Sequence, residues 1–119
     1  MDNATVLSLS FDSEKMNYRA QSLQRNGFKV VSVTSPSQAR YEIEMGRCGI
    51  FITCSTISDI ISLDLLRLFK NYCPVGITVA VTSSRTHSTI APHVDIAVLE
   101  SDDPEGIVEA LIATRKKTI

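Results

Sequence analysis

Nowhere in the sequence do apolar residues approach the run of about 20 that a membrane-spanning helix needs, so no membrane partner is expected. The opening residues, Met1-Asp2-Asn3, lack the basic stretch and apolar run of a signal peptide. Cysteine is scarce: Cys48, Cys54 and Cys73 are odd in number and show no CxxC spacing. That argues against a disulfide framework or a zinc site and makes a reducing cytoplasm the expected location. An excess of charge of one sign is also missing, since 12 Lys and Arg face 13 Asp and Glu for a formal net charge of −1. Neither nucleic acid nor an acidic membrane surface is favoured by such a balance. The basic end, Arg115-Lys116-Lys117, suits the C-terminus of a helix, where cations meet the negative end of the dipole.

Several chemistries are excluded by missing patterns. The stretch SFDSEK contains neither GxGxxG nor GxxxxGK[ST], so no glycine-rich phosphate loop is present. ITCST is not a nucleophile elbow, and no Ser-His-Asp arrangement is evident. His87 and His93 are not spaced as metal ligands with any cysteine or carboxylate cluster. Basic residues do not interleave with aromatics as they do on base-stacking surfaces. The expectation is a protein that is not an enzyme and needs no metal or cofactor.

What the sequence does contain is a regular alternation. At 119 residues, with 44% hydrophobic and 21% charged, it suits one domain over residues 1–119 that buries a core without staples. Thr5 to Ser10 reads as a strand, and Ser13 to Asn26 as a helix with Met16, Ala20 and Leu23 on its apolar stripe. Asn26-Gly27 ends that helix through a left-handed glycine. Phe28 to Thr34 is β-branched and strand-like. Ser35-Pro36 starts a second helix that runs to about Met45 and stops at Gly46. Ile50 to Thr53 is a strand apolar on both faces, as in a covered parallel sheet. A leucine-rich helix follows from Asp59 to Tyr72, with Ile61, Leu65, Leu68 and Tyr72 at helical spacing. Ile77 to Thr82 is the fourth strand, and a short helix fits between Thr86 and Ala91 before Pro92. Val94 to Leu99 is the fifth strand. Asp103-Pro104-Glu105 then starts a last helix that turns Ile107, Ala110 and Leu111 inward. Five strands alternating with five helices predict an α/β fold, an open parallel sheet covered on both faces. Chemistry in such sheets gathers at the carboxyl ends of the strands. That edge holds Ser10, Phe11 and Asp12, then Cys54 and Ser55, then Thr82 and Ser83, and finally Glu100.

At these residues the chain resembles the receiver domain of bacterial response regulators (CheY-like) over nearly its whole length. The resemblance is carried by NGF between the first helix and second strand, the spacing from there to Cys54, the AVTSS strand end, and the closing DPEGIVEAL. It implies a flavodoxin-like (βα)5 sandwich with a five-stranded parallel sheet in the order 2-1-3-4-5. It also implies a phospho-acceptor pocket. There, an acidic pair after the first strand holds Mg²⁺, and an aspartate after the third takes the phosphoryl group. A Thr or Ser after the fourth strand and a Lys after the fifth contact the phosphoryl oxygens. In this sequence the acidic pair matches Ser10 and Phe11, with Asp12 adjacent. The acceptor matches Cys54, the lysine matches Glu100, and only Thr82 is kept. A carboxylate at Glu100 repels a phosphoryl group where a lysine attracts it. The segment from Thr82 to Glu100 is also shorter than in the family by roughly one helical turn. The resemblance therefore implies a degenerate receiver in two-component signalling, not phosphorylated at the usual site. It would act as an interaction module for a histidine kinase, another receiver or an output protein, through a surface from about Arg85 to Ala113.

Each of these residues also has a plainer reading. Cys54 is expected as a packed, inert thiol, with no Lys or His placed to activate it. Asp12 and Ser13 suit a helix N-cap. The Phe11 ring is expected to fill the space that metal and water would take. Thr82 can satisfy a local backbone group, and Glu100 can stand in water. Two other functions stay open at this point: a redox or small-ligand sensor working through Cys54, and a receiver phosphorylated on Asp12 or another acceptor.

Overall fold

In a computed structural model, which describes residues 5–83 and 88–117, five parallel strands form one sheet in the order β2-β1-β3-β4-β5. The strands are β1 (Thr5–Leu9), β2 (Lys29–Val33), β3 (Ile50–Cys54), β4 (Ile77–Thr82) and β5 (Ile96–Leu99). Between and after them run α1 (Ser13–Arg25), α2 (Pro36–Glu44), α3 (Asp59–Tyr72) and α4 (Glu105–Lys117). Among the described residues no helix is long and apolar enough to cross a membrane.

Every residue of β1 and of β3 is buried, as their unbroken apolar character predicts for strands covered on both faces. The edge strands β2 and β5 are more open. The parallel register sets Leu9 beside Val33, Cys54 beside Val81, and Thr82 beside Leu99. All carboxyl ends therefore lie along one rim. Helix α1 packs with α4, and α2 packs with α3.

The helix boundaries follow local chemistry. The Asp12 carboxylate accepts from the Lys15 N–H and caps α1. The Ser35 hydroxyl accepts from the Gln38 N–H, with Pro36 at the first helical position of α2. Gly27 and Gly46 follow the ends of α1 and α2 with φ of 89° and 67°, a region that glycine enters without a Cβ clash.

Three sequence expectations are corrected. The inward face of α3 is Ser62, Leu65, Leu66 and Phe69, whereas Ile61 and Tyr72 are exposed. Ser62 turns inward because its hydroxyl pairs with Thr53 Oγ1 on β3 at 2.7 Å. The short helix expected from Thr86 to Ala91 falls partly on residues 84–87, outside the described residues; a 3-10 turn over Ala91–His93 follows instead. Asp103 does not act as the simple cap expected for α4. A 3-10 turn over Glu100–Asp102 precedes it, and its carboxylate reaches back to α1.

The entry to β5 is clamped by Asp95. Its Oδ2 accepts from the Thr78 N–H at 2.8 Å, the Thr78 hydroxyl at 3.1 Å and Lys70 Nζ at 3.1 Å. Burial alone would push the Asp95 carboxyl up, but these donors and the Lys70 charge outweigh it and hold the group below the usual carboxylate value. A folded pKa below the unfolded one gives stability that is present above the unfolded value of about 3.9. That stability is lost as the pH falls through the folded value. Asp95→Asn is therefore expected to be less stable than wild type at neutral pH, with the difference narrowing as the pH drops below about 4. Urea midpoints measured across that range check this; a difference that is constant with pH contradicts it.

Candidate functional site at the carboxyl rim

The rim brings together the strand-end residues that the sequence placed there; Phe11 and Thr82 are the two whose surroundings differ from those expected. Ser10 is buried just past β1. Its N–H donates to the Val33 carbonyl, and its hydroxyl accepts from the Asp12 N–H at 3.0 Å. The carboxylate of Asp12 is occupied in capping α1. Phe11 does not fill the pocket as expected, since the residue is 54% exposed. Its N–H donates to Thr56 Oγ1 at 3.2 Å, which fixes the backbone here.

Cys54 ends β3 and is 8% exposed. Its thiol donates to the Leu9 carbonyl at 3.5 Å and lies 3.0 Å from Thr56 Oγ1. The other two cysteines are also buried and free. Burial pushes the Cys48 thiol up to about 11, and the Glu42 carboxylate adds to the rise. Glu100 stands exposed at the end of β5, where it accepts a hydrogen bond from the Ser55 hydroxyl. Thr82 is buried at the end of β4, and its hydroxyl finds no partner among the described residues.

Sequence reasoning missed Arg19. It lies on the buried stripe of α1 with Met16 and Leu23 and is 1% exposed. Its guanidinium makes a two-bond fork with Asp103, Nε to Oδ1 at 3.1 Å and Nη2 to Oδ2 at 2.9 Å. The remaining arm, Nη1, donates to Ser8 Oγ on β1 at 2.9 Å. Arginine suits this place because its planar fork matches a carboxylate with two parallel bonds. The expectation that no Lys or His is placed near Cys54 is corrected for Lys15, which with Arg19 lines one cavity together with Ser10, Cys54, Glu100 and Asp103. That cavity measures about 20 Å³, close to the room that a single water needs. Asp103 is committed to Arg19 and Asp12 to a helix cap. Among the described residues no cluster of three His, Cys, Asp or Glu side chains is placed to hold a metal ion.

Five parallel strands in the order 2-1-3-4-5 make the flavodoxin-like fold. Solved structures of CheY-like receiver domains match it over nearly the whole chain. A response regulator receiver domain from Methanospirillum hungatei superposes with a TM-score of 0.81 at 16% identity, covering 98% of this chain and 96% of that one. The chemotaxis response regulator CheY4 of Vibrio cholerae gives a TM-score of 0.80 at 12% identity, covering 93% of this chain and 98% of that one. The Thermotoga maritima response regulator TrrA, in complex with the histidine kinase ThkA, gives 0.77 at 14% identity, covering 92% of this chain and 96% of that one. No family model matches the chain, and no curated protein matches it in sequence.

Proposed function

We propose that the chain is a degenerate receiver that signals through its surface and is not phosphorylated on the third strand. The observation that carries this reading is the Arg19 guanidinium, buried beneath the rim and already paired with Asp103. In a working receiver a divalent cation offsets the charge of the incoming phosphoryl group. Here a fixed cation is neutralised internally, a thiol stands at the end of β3, and the remaining space takes about one water. A thiol offers no carboxylate oxygen to metal or phosphorus, and Glu100 adds negative charge where positive charge would help. The chain itself catalyses no reaction on this reading.

Its partner is a signalling protein: a histidine kinase, another receiver or an output protein. The support is the fold shared with TrrA, which was solved with a histidine kinase. The contact surface proposed for it is that of the expected fourth helix, β5 and the last helix, roughly Arg85 to Ala113, of which residues 85–87 lie outside the described residues. The test is incubation with acetyl phosphate and Mg²⁺, followed by intact mass. The expected result is an unmodified chain at concentrations that label a working receiver to completion. A stoichiometric phosphoryl adduct rejects the proposal.

A further inference from the structure

At β5 the sheet ends, and the outer side of that strand has no neighbouring strand among the described residues. Successive residues of a strand turn their backbone groups alternately to its two sides. The Asp95 N–H donates to the Thr78 carbonyl at 3.1 Å, so residues 95, 97 and 99 face β4. Ile96 and Val98 therefore turn both N–H and C=O to the free edge, where no backbone partner meets them among the described residues. A groove of about 610 Å³ runs along this edge, between β5 and the flank of α4. Ile96, Ala97 and Val98 form its strand side, and Asp102, Glu105 and Glu109 stand opposite. The helix lies close because residue 106 is glycine: a Cβ there would sit 3.1 Å from Val98 Cγ1. The three carboxylates are on exposed residues and form no ion pair among the described residues. The groove shares no described residue with the cavity at Arg19.

We infer that this edge is the docking site for an extended, basic segment of a partner protein, which adds to the sheet as a further strand. The inference deepens the reading above and rests on it for a partner that meets β5 and α4. An added strand bonds the free backbone groups of Ile96 and Val98; a helical segment, whose own backbone bonds are closed, leaves them unpaired. Alternate side chains of that strand fall on the α4 side, where Lys or Arg meets Asp102, Glu105 and Glu109. The described lining carries no Lys or Arg that would favour an acidic segment instead. Charge also decides against a second copy of this chain, since pairing β5 with β5 brings a like set of carboxylates to the same edge. A divalent ion needs several oxygens around one point, and among the described residues no three acidic side chains are placed to hold one.

The probe is a short peptide of alternating Lys and Val, titrated into the isotope-labelled 119-residue chain and followed by amide NMR. The expected result is a saturable shift at Ile96, Val98 and the exposed side of α4, with slower hydrogen exchange of the Ile96 and Val98 amides. The same peptide N-methylated at every residue keeps its charge but cannot pair as a strand, and is expected not to saturate. A peptide of alternating Glu and Val is expected not to saturate either. Glu105→Lys combined with Glu109→Lys, both at exposed positions, is expected to weaken binding of the Lys peptide roughly tenfold. Absence of saturable binding by the Lys peptide overturns the inference. So does equal binding of the N-methylated or the acidic peptide, or of the Lys peptide to the folded double variant. Concentration-dependent dimerisation of the chain alone, with shifts centred on β5, assigns the edge to a second copy and overturns it as well. These outcomes are separate from the acetyl phosphate test: a phosphoryl adduct rejects the degenerate receiver whatever the peptides do, and peptides that fail to bind leave an unmodified mass unexplained by nothing they touch.

Discussion

Replacing Asp103 with alanine is expected to lower the unfolding free energy by about 3–5 kcal/mol, the range for removing one partner of a buried ion pair. The side chains of Arg19 and Asp103 are 2% and 8% exposed, so the guanidinium left behind keeps only Ser8 as a partner in the interior. Arg19→Met strands the opposite charge and is expected to be destabilising as well. Removing both charges together, Arg19→Met with Asp103→Leu, is expected to recover most of the loss. Desolvating two ions is itself unfavourable, and well-packed apolar replacements often match or exceed a buried pair. Urea unfolding of the two single variants and the double variant forms the cycle that isolates the coupling. Single losses below about 1 kcal/mol would place the pair with exposed surface bridges and contradict a buried, internally neutralised Arg19.

Phe69→Ala is expected to cost about 3–5 kcal/mol. Phe69 is 1% exposed, and its ring centre lies 5.8 Å from that of Phe51, in the strand that carries Cys54 to the rim. Its other neighbour is Gly76, in the turn before β4. A Cβ on Gly76 would lie 2.6 Å from Phe69 Cζ and 2.9 Å from Cys73 Sγ, closer than real contacts allow. Gly76→Ala alone is therefore expected to destabilise by about 1–3 kcal/mol through overpacking. Added to Phe69→Ala, the same methyl enters space that the ring has vacated, and its extra cost is expected to shrink. Equal costs in both backgrounds, measured by thermal or urea unfolding, would mean that the ring is not what bars a side chain at position 76.

The alternation of strands and helices was legible because its signals are local. Asn26-Gly27 marks a left-handed end and Ser35-Pro36 a capped start, and both rest on contacts within a few residues. The strand-end positions were legible for the same reason: parallel strands of known bounds put Ser10, Cys54, Thr82 and Glu100 on one rim. What those residues do there was less readable. Phe11 lies past the end of β1, where strand alternation no longer dictates direction, and a bond to Thr56, 45 residues away, sets its backbone. In α3 a stripe through 61, 65, 68 and 72 and one through 62, 65, 66 and 69 have the same helical period, so spacing alone does not choose between them. The Thr53 hydroxyl across the sheet does. Arg19 sits three residues after Met16 and four before Leu23, on the stripe that should be apolar. A charge there reads as a solvated face until its carboxylate is known, and that carboxylate is 84 residues further along.

The span of that bond also bears on how the chain is made. A growing polypeptide that has not yet supplied Asp103 holds an arginine destined for the interior with no acid to receive it. The side of the sheet covered by α1 and α4 is therefore expected to close only once Asp103 is in place, and the amides of those two helices are expected to exchange together, as one unit.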